Sequence, residues 1–576
     1  MYKYQNNSTR NGGNYGGNRN ISKTIAQDFY NPYSFVPLND KLCLLGADEE
    51  EELSQVQDVP FENGYSGKIV VDFKAMSPFC VRSADNNNVH IGERYFVPGT
   101  TVKGMVRAVF EIVTMSNIRN GISDSRYSMR DLNSRDYKIK GNDQVQSGFL
   151  IQIKGQYYIH PCTNRKMTYP EIEKMSGVSQ LKNCRSVEDK YRKLQSHIVV
   201  RKDGGFSMWF FSGFMFNKKN EYIFDIPALK ESKCIPLEEA EYDDFIFIHE
   251  KENENASWKF WKKKLKNYES VESIKPDGYK GIVPCFFRTK EKKDGEGNRY
   301  YCVKDLGFAS LYRQPYDHTI HDFLPEAYRK EGLDMSQSVF GFVRGNDALR
   351  GRVQFGNAFI DNPKTESSQC FILGSPKPTY YPFYIEQNHA GKLLTYFSPN
   401  ARLAGYKRYL IHKNAQTGQS QRDRVSTTFV PMRTGTTFST NIYFHNLRGY
   451  ELGALLAAIS FCKHGDCFHT LGYAKPFGYG KIKVTGISLY SDTGNIVEQE
   501  HLYDNFYNYI CHKCCFNSTA EYLKSLNKLF LIASGRYDPE KEIRYPNMQD
   551  KEFRSIKNSK FSLTNFTPQN LKNNAN

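Results

Sequence analysis

The chain has 576 residues, with 78 Lys and Arg against 62 Asp and Glu, a formal net charge of +16 and 14% aromatic residues. This basic, aromatic-rich composition suits single-stranded nucleic acid, which offers phosphates to cations and bases to aromatic rings. No apolar run reaches the roughly 18 residues of a membrane span, so none is expected. The first 24 residues are rich in Asn, Gly and Arg without the apolar core of a secretory signal, which predicts a disordered basic arm and a cytoplasmic location.

Three enzyme classes lack their signatures in this sequence. There is no GxxxxGK[ST] phosphate loop, no GxSxG nucleophile elbow and no HExxH zinc motif. Nucleotide hydrolysis, acyl transfer and metalloprotease chemistry therefore have no residues to carry them.

The first predicted strand follows an acidic segment. The run of acidic residues 48–52 predicts a solvated linker that closes an N-terminal segment over 25–66. Residues 67–74 have a β-branched core and predict the first strand.

Residues 95–107 predict a strand end, a turn at Pro98 and Gly99, and a basic helix over 100–116. Thr100 and Thr101 are expected to be helix N-cap residues, so that the helix start offers N–H groups to an anion. Lys103 and Arg107 are four residues apart and would project from one helix face. The alternative is an ordinary strand-to-helix turn with solvated cations.

Two basic and aromatic segments follow in the middle of the chain. Residues 257–266 predict an amphipathic helix that packs on its own domain, with an added phosphate-contacting face as the alternative. Residues 405–409 interleave aromatic residues with Lys407 and Arg408, as in a stacking platform or in an edge strand with exposed cations.

Near the end, residues 437–444 predict a strand, 449–462 a helix and 481–489 another strand, with a glycine-rich loop before the last of these. Glycine lets a main chain approach a ligand closely, tyrosine offers a stacking face and lysine offers charge. The candidate RNA-binding residues of the loop are Gly472, Tyr473, Lys475, Gly478, Tyr479, Gly480 and Lys481.

The thirteen cysteines are irregularly spaced, which predicts reduced thiols. The segments 462–469 and 511–515 contain Cys and His at spacings that zinc accepts, so a structural zinc site is an alternative to buried thiols.

The turn at 98–104 and the glycine-rich loop together resemble the motifs of the RAMP (repeat-associated mysterious protein) superfamily of CRISPR effector proteins. Residues 338–343 and 349–358 resemble its Phe-Gly element and the strand after it, which adds Arg350 and Arg352 to the candidate RNA-binding residues. The helix at 451–456 resembles the one before the family's glycine-rich loop. Residues 31–37 and 211–224 are similar to a subfamily of large single-chain members.

The resemblance implies an α+β fold of the ferredoxin-like (RRM-like) kind. About 220 residues separate the first helix from the Phe-Gly element, so the chain holds either one such fold with a large insertion or two fused modules, which we expect. The expected segments are an arm over 1–24, an N-terminal segment and acidic linker over 25–66, a first module over 67–230, an insertion over 231–335, a second half over 336–495, and a helical extension and tail over 496–576.

The resemblance also implies guide RNA, target RNA and other subunits of a type III effector complex as partners. Ribonucleolytic members of the family carry an aspartate in the loop between first strand and first helix. The corresponding loop here, 77–92, has Asp85 as its one aspartate, with His90 nearby. Such a carboxylate can orient or deprotonate a ribose hydroxyl, or hold a divalent ion such as Mg²⁺. The alternative is a turn residue that bonds its own backbone.

Three hypotheses therefore stand. The chain is a guide-binding subunit, an endoribonuclease that acts on target or repeat RNA, or a non-catalytic scaffold for other effector subunits.

Overall fold

The computed structural model describes residues 29–55, 59–132, 134, 136–139, 145–213, 218–252, 254–374, 378–387, 393–418, 425–537, 541–547, 552–553 and 556. The expected basic arm over 1–24 lies outside the described residues. The chain divides into two compact units: unit 1 comprises residues 1–122 and 323–576, and unit 2 comprises residues 123–322.

Both units combine strands and helices, so the protein is of the mixed α+β class. The strands of the described residues are β1 (Phe29–Tyr30), β2 (Tyr33–Val36), β3 (Tyr65–Ala75), β4 (His90–Ile91), β5 (Arg94–Val97), β6 (Ser128–Met129), β7 (Gln146–Ile153), β8 (Gln156–Thr168), β9 (Ile198–Val200), β10 (Phe206–Phe210), β11 (Asn220–Ile226), β12 (Ile235–Leu237), β13 (Asn267–Tyr268), β14 (Val283–Lys293), β15 (Arg299–Gly307), β16 (Gln314–Pro315), β17 (Phe342–Arg344), β18 (Asp347–Leu349), β19 (Val353–Phe355), β20 (Ala358–Ile360), β21 (Gln369–Phe371), β22 (Tyr406–Tyr409), β23 (Thr427–Phe429), β24 (Thr437–Leu447), β25 (His469–Thr470), β26 (Lys481–Ser491) and β27 (Glu542–Ile543).

The α-helices of the described residues are α1 (Ala47–Ser54), α2 (Gly99–Val113), α3 (Tyr169–Ser176), α4 (Val187–Leu194), α5 (Glu239–Ile246), α6 (Ala256–Lys262), α7 (Met335–Phe340), α8 (Tyr381–Tyr384), α9 (Gly449–Ser460), α10 (Glu500–Lys513), α11 (Thr519–Ser525) and α12 (Asn527–Ser534). None of these helices is both long enough and apolar enough to cross a membrane.

The main sheet of unit 1 has the strand order β25-β26-β3-β24-β20-β5-β4, and β19 also pairs with β24. Strand β24 alternates exposed and buried residues along its length, as expected for a strand with one face in the core. The buried face packs against α2 and α9 in one hydrophobic core. Helix α9 is buried along nearly its whole length because it packs against both α2 and α10, and a Cβ on Gly453 would lie only 1.9 Å from the Leu502 carbonyl oxygen of α10.

The unit boundaries differ from the expected segments 67–230 and 336–495. Strand β3 pairs with β24 on one side and with β26 on the other, so the first and last predicted strands share one sheet. The residues between 123 and 322 form their own sheet instead, with the order β15-β14-β7-β8-β11-β10-β9. Helix α6 belongs to this unit and buries Trp258 and Trp261.

The acidic run 48–52 was expected to be a solvated linker, but it lies in helix α1. Glu49 accepts hydrogen bonds from Lys513, at 2.6 Å, and from the Tyr450 and Tyr509 hydroxyls, while Glu52 pairs with Arg448. The run is therefore helical instead of an irregular linker, while Asp48, Glu51 and Glu52 are exposed, as the prediction of a solvated segment requires.

Candidate nucleic-acid interface

The basic helix α2 begins one residue earlier than predicted. Pro98 is the N-cap residue, and Thr100 and Thr101 are the second and third residues of the helix, so their predicted capping role is wrong. The Gly99 N–H donates to the Asn357 side-chain oxygen at 3.0 Å, and the Thr101 and Val102 N–H groups donate to the Pro98 carbonyl. Most of the N–H groups at the helix start, which were predicted to bind an anion, therefore already donate to acceptors within unit 1.

The side chains of the first helical turns form a small cationic cluster, which we call the helix cluster. The Lys103 ammonium lies 5.7 Å and the Arg107 guanidinium 5.5 Å from the Phe340 ring centre. Arg107 also donates to Glu111 at 2.8 Å. Partial burial, and then the neighbouring Arg107, lower the pKa of Lys103. Arg350 is exposed. It lies near Phe340 in the chain fold, because the next residue, Gly351, packs against the Phe340 carbonyl group.

Arg352 does not belong to this surface. Its side chain is buried, forms an ion pair with the equally buried Glu451, and donates to the Ser338 hydroxyl and to the Asn446 carbonyl at 2.6 Å each. Because these protein groups use the donors of its guanidinium, Arg352 links α7, β19 and α9. It is a structural residue and is not available to RNA.

The glycine-rich loop folds back on its own chain. The Tyr473 N–H donates to the Cys80 carbonyl and the Gly480 N–H to the Pro78 carbonyl, both at 2.8 Å. Gly472 and Gly480 have φ of +75° and +78°, and a Cβ there would lie 2.3 Å from the Cys80 oxygen and 1.9 Å from the Leu471 oxygen. These glycines therefore permit close approach of protein backbone, where the sequence predicted close approach of a ligand.

The two tyrosines of the loop have different environments. Tyr479 is 4% exposed, packs between Phe371 and Phe429, and donates its hydroxyl to the Gln416 carbonyl at 3.0 Å. Burial raises its pKa to about 12. It is a core residue rather than a stacking face. Tyr473 is only half-buried, and the Arg82 guanidinium lies 5.6 Å from its ring centre.

Four cations surround the loop without a carboxylate partner in the described part of the chain: Lys407, Arg408, Lys475 and Lys481. The Lys475 ammonium donates to the Gly472 carbonyl at 2.9 Å, and burial, then Arg408, lower its pKa. The Lys481 ammonium lies 4.2 Å from the Phe468 ring centre, and burial, then Lys483, lower its pKa. We call these four residues the unpaired-cation surface.

The other two cations come from strand β22, which pairs with β2. The Lys407 ammonium lies 3.8 Å from the Tyr33 ring centre and donates to the Tyr384 hydroxyl at 3.0 Å. Burial lowers the pKa of Lys407 to about 8 and that of Arg408 to about 10. The Arg408 side chain has no hydrogen-bond or ion-pair partner among the described residues. An anion at this surface would favour the charged forms that burial disfavours.

The Asp85 carboxylate caps its own turn. It accepts hydrogen bonds from the Ser83 hydroxyl and from the Asn87 N–H, at 3.1 Å, and these bonds, the Ser83 one first, lower its pKa. His90 donates from Nδ1 to the Asn88 carbonyl at 2.9 Å, and its ring packs near Tyr95. These contacts are those of a turn residue that bonds its own backbone, which was the alternative to a catalytic role for Asp85.

Arg82 connects the Asp85 turn to the glycine-rich loop, although no local sequence pattern pointed to it. Its Nε donates to the Asn86 side-chain oxygen at 3.0 Å, and its guanidinium faces the ring of Tyr473. Asp85 is exposed beside this contact. An RNA on the glycine-rich loop would therefore pass near an ionised carboxylate.

The helix cluster and the unpaired-cation surface lie at different levels of the main sheet. Lys483, just after the glycine-rich loop, pairs with Lys74, and Lys74 pairs with Thr437 at the start of β24. Gly99 contacts Phe355, which pairs with Ile442, five residues further along β24. At about 3.3 Å per residue this is a separation of about 17 Å along the strand. The structure thus places the Lys407 and Lys475 ammonium groups beside the Tyr409 ring and Arg408 near Lys475, but does not bring them together with Lys103 and Arg107.

The cysteine segments do not form a metal centre in the described part of the chain, where no three His, Cys, Asp or Glu side chains are arranged to hold an ion. Cys467 lies 3.6 Å from His464, but His469 uses Nε2 to donate to the Ile459 carbonyl. Cys462 is buried in the core, and Cys514 faces Cys43.

Fold and surface together define an α+β protein whose cations and aromatic residues gather around a glycine-rich loop. A family model of the RAMP superfamily matches residues 72–483, which is most of the chain. The protein therefore belongs to the RAMP superfamily.

Two solved structures are among those similar to this chain. One is described as "CRISPR RNA-guided surveillance complex, pre-nicking", with 10% identity and a TM-score of 0.21 over 85% of this chain and 99% of that one. The other is the crystal structure of Thermofilum pendens Csc2, with 15% identity and a TM-score of 0.14 over 39% of this chain and 55% of that one. Scores this low carry no argument about function. No curated protein matches the sequence.

Proposed function

We propose that unit 1 binds the phosphate backbone of single-stranded RNA at the unpaired-cation surface, as a CRISPR-associated subunit of a type III-like effector complex. The observation that carries this proposal is that Lys407, Arg408, Lys475 and Lys481 have no carboxylate partner in the described residues. The Lys407 and Lys475 ammonium groups lie 5.6 and 5.8 Å from the Tyr409 ring centre, and Arg408 is close enough to Lys475 to lower its pKa. Partly buried cations repel one another, and RNA phosphates would supply the missing counter-charge.

The identity of the RNA follows from the family motifs. Contacts to phosphates fix the path of a strand but read no sequence, so sequence information would come from base pairing between a guide and its target. This division of labour suits a subunit that holds guide RNA in a complex with other effector subunits. Tyr473 and Arg82 add a half-exposed aromatic face and a further cation to the same surface.

The order of the central strands supports a ferredoxin-like fold for unit 1. Strands β26-β3-β24-β20 lie side by side, with α2 after the first of them in the chain and α9 between β24 and β26. This is the order 4-1-3-2 with two helices on one face, as in a split βαβ fold. We therefore propose one such fold that carries unit 2 as an insertion, which was the alternative to two fused modules.

Recovery of bound RNA is the first test. The protein is co-expressed with a CRISPR array and its neighbouring genes and purified through high salt, and the retained RNA is sequenced. We expect discrete guide-sized RNAs that share a repeat-derived 5′ tag. Recovery of neighbouring subunits without RNA would contradict the RNA-binding proposal and favour the scaffold hypothesis.

The salt dependence of RNA affinity tests the site itself. Each phosphate contact to a single strand contributes about 0.7 to the slope of log affinity against log salt concentration, so Arg408→Gln with Lys475→Gln should lower that slope by about 1.4. The matched control is Lys259→Gln with Arg299→Gln, since these exposed cations are paired to Glu254 and Glu291. An unchanged slope in the first double variant would refute the site. Lys103→Gln with Arg107→Gln measures the helix cluster separately.

A second candidate function is cleavage of RNA through Asp85, favoured by its exposed position beside the Arg82–Tyr473 contact. Asp85→Asn removes the charge but keeps an oxygen to accept from Ser83 and Asn87, so it should preserve the turn. We expect this variant to lose metal-dependent cleavage of guide-complementary RNA while guide binding is intact. Cleavage at the wild-type rate would leave Asp85 with its structural role alone.

A further inference from the structure

A cavity of about 370 Å³ lies in unit 1 behind the glycine-rich loop. Its size falls within the roughly 300–1,000 Å³ of small-molecule sites. Four segments that are far apart in sequence meet around it: residues 411–414 after β22, Lys481 at the start of β26, the end of α12 with residues 535–537, and Lys541 with Ile543 at β27. Gly478 and Gly535 make this meeting possible, because a Cβ on either would lie about 3 Å from residues 411–415.

The lining of the cavity is cationic. Lys413, Lys481 and Lys541 line it, and no Asp or Glu is among the described residues of its wall. None of the three lysines has a carboxylate partner in the described part of unit 1. The Lys481 and Lys541 ammonium groups lie 4.2 and 5.3 Å from the ring centres of Phe468 and Tyr30, so aromatic rings, not acids, hold them.

His412 supplies a second, independent indication that the cavity is a ligand site. It is 7% exposed, lines the cavity, and has an Nε2 atom that is buried without a hydrogen-bond partner. Its other ring nitrogen is engaged with the Pro476 carbonyl, and burial lowers its pKa to about 4. Because the other ring nitrogen donates to that carbonyl, the neutral Nε2 is an acceptor, and a ligand donor such as a ribose hydroxyl or the hydroxyl of a protonated phosphate would satisfy it.

We propose that this cavity binds a phosphomonoester, either of a free nucleotide or at the end of an RNA strand. Three cations suit the double negative charge of a terminal phosphate, while Asn414 and Ser534 in the wall add neutral hydrogen-bonding groups. The cavity shares Lys481 with the unpaired-cation surface, but His412, Lys413 and Lys541 line the cavity alone, so variants of Lys413 and Lys541 test it separately from backbone binding.

Calorimetry on the full chain at low salt tests the inference with four probes. These are inorganic phosphate, 5′-AMP, an oligoribonucleotide with a 5′-phosphate, and the same oligoribonucleotide with a 5′-hydroxyl. We expect phosphate or 5′-AMP to bind, and Lys541→Gln and Lys413→Gln each to weaken that binding by about tenfold. Lys541→Arg, which keeps the charge, should retain most of the affinity. Lys463→Gln is the control, because Lys463 pairs with Glu500 outside this cavity.

Each outcome decides the proposal. Tighter binding of the phosphorylated oligonucleotide than of its 5′-hydroxyl twin would assign the site to an RNA end, and equal binding of the two with clear 5′-AMP binding would assign it to a nucleotide. No measurable binding of any phosphate probe, or equal loss in Lys541→Gln and Lys463→Gln, would overturn it. Salt-dependent binding of the 5′-hydroxyl strand should be the same in Lys541→Gln and wild type, so failure here is distinguishable from failure of the backbone-binding proposal.

Discussion

Arg352 shows how the same residue type can serve structure where the sequence suggested binding. Arg352 and Glu451 are 2% and 0% exposed, so removing the arginine leaves a buried carboxylate without its partner. We expect Arg352→Ala to lower the free energy of unfolding by about 3–5 kcal/mol, measured by urea denaturation. Its exposed counterpart is Arg536, which pairs with Asp466 at side-chain exposures of 66% and 57%.

Arg536→Ala should cost no more than about 1 kcal/mol, since both partners of this pair are solvated. Equal losses in Arg352→Ala and Arg536→Ala would show that the buried pair does not stabilise unit 1 in the way we infer.

Lys407 predicts a pH dependence of stability. Its pKa falls from 10.5 to about 8 in the folded protein because burial disfavours the charge. Between these two values the unfolded chain binds more protons than the folded one, so this group makes the protein more stable as pH rises from about 8 to 10.5. Lys407→Met removes the titrating group. We expect the gain in free energy of unfolding between pH 7.5 and pH 9.5 to be smaller in this variant than in wild type.

The comparison uses the difference between the two pH values, which cancels the effect of Lys407→Met on packing with Tyr33 and Tyr384. The same pH-dependent gain in both proteins would mean that Lys407 keeps its usual pKa in the fold.

The positions of the candidate binding residues along the chain could be read from the sequence, but their exposure could not. The sequence pointed to Lys475, Lys407 and Arg408 because cations alternate with glycine and aromatic residues there, and all three gather at one surface. It equally pointed to Arg352 and Tyr479, which are buried. Exposure depends on partners such as Glu451 and Gln416 that are distant in sequence, so no local pattern could separate these groups.

At the scale of elements, helix α2 offers two glycines with opposite expected effects. A Cβ on Gly99 would lie 2.0 Å from the Phe355 carbonyl oxygen, whereas a Cβ on Gly104 would meet no atom within 4 Å. We expect Gly99→Ala to destabilise by about 1–3 kcal/mol through overpacking. Gly104→Ala should stabilise by about 0.5–1 kcal/mol because alanine is the better helix former.

Thermal and urea denaturation of the two variants measure these effects in parallel. A neutral Gly99→Ala would contradict the close contact between the start of α2 and β19, and a destabilised Gly104→Ala would contradict the open space around Gly104.

Long periodic elements could be read directly from the sequence, within a few residues at their ends. The predicted segments 67–74, 437–444 and 481–489 are the strands β3, β24 and β26, because their apolar residues recur at strand spacing. The acidic helix α1 was missed, since its stability comes from Arg448 and Lys513 rather than from its own sequence. Pairing between strands that lie hundreds of residues apart, such as β3 and β24, is also not encoded in any local pattern.

At the scale of the whole molecule, the two stretches of unit 1 that flank residues 123–322 are hydrogen-bonded to each other. Asn117 donates through its backbone N–H to Asp334 at 2.9 Å, and Arg119 donates to the Arg329 carbonyl at 3.0 Å. The chain on both sides of residues 123–322 is therefore fixed by hydrogen bonds within unit 1. The core around the main sheet contains no residue from 123–322 among those that the structure describes. A short linker in place of unit 2 should thus leave that core intact.

We therefore expect a variant with residues 123–322 replaced by a short Gly-Ser linker to unfold cooperatively and to keep its salt-dependent RNA affinity. Circular dichroism with urea denaturation reports the fold, and the RNA salt slope reports the surface. The full chain with Arg408→Gln and Lys475→Gln is the matched control, since it should keep the fold but lose part of the slope. A deletion variant that unfolds without a cooperative transition would mean that unit 1 needs unit 2 for its stability, and would argue against a single fold with an insertion.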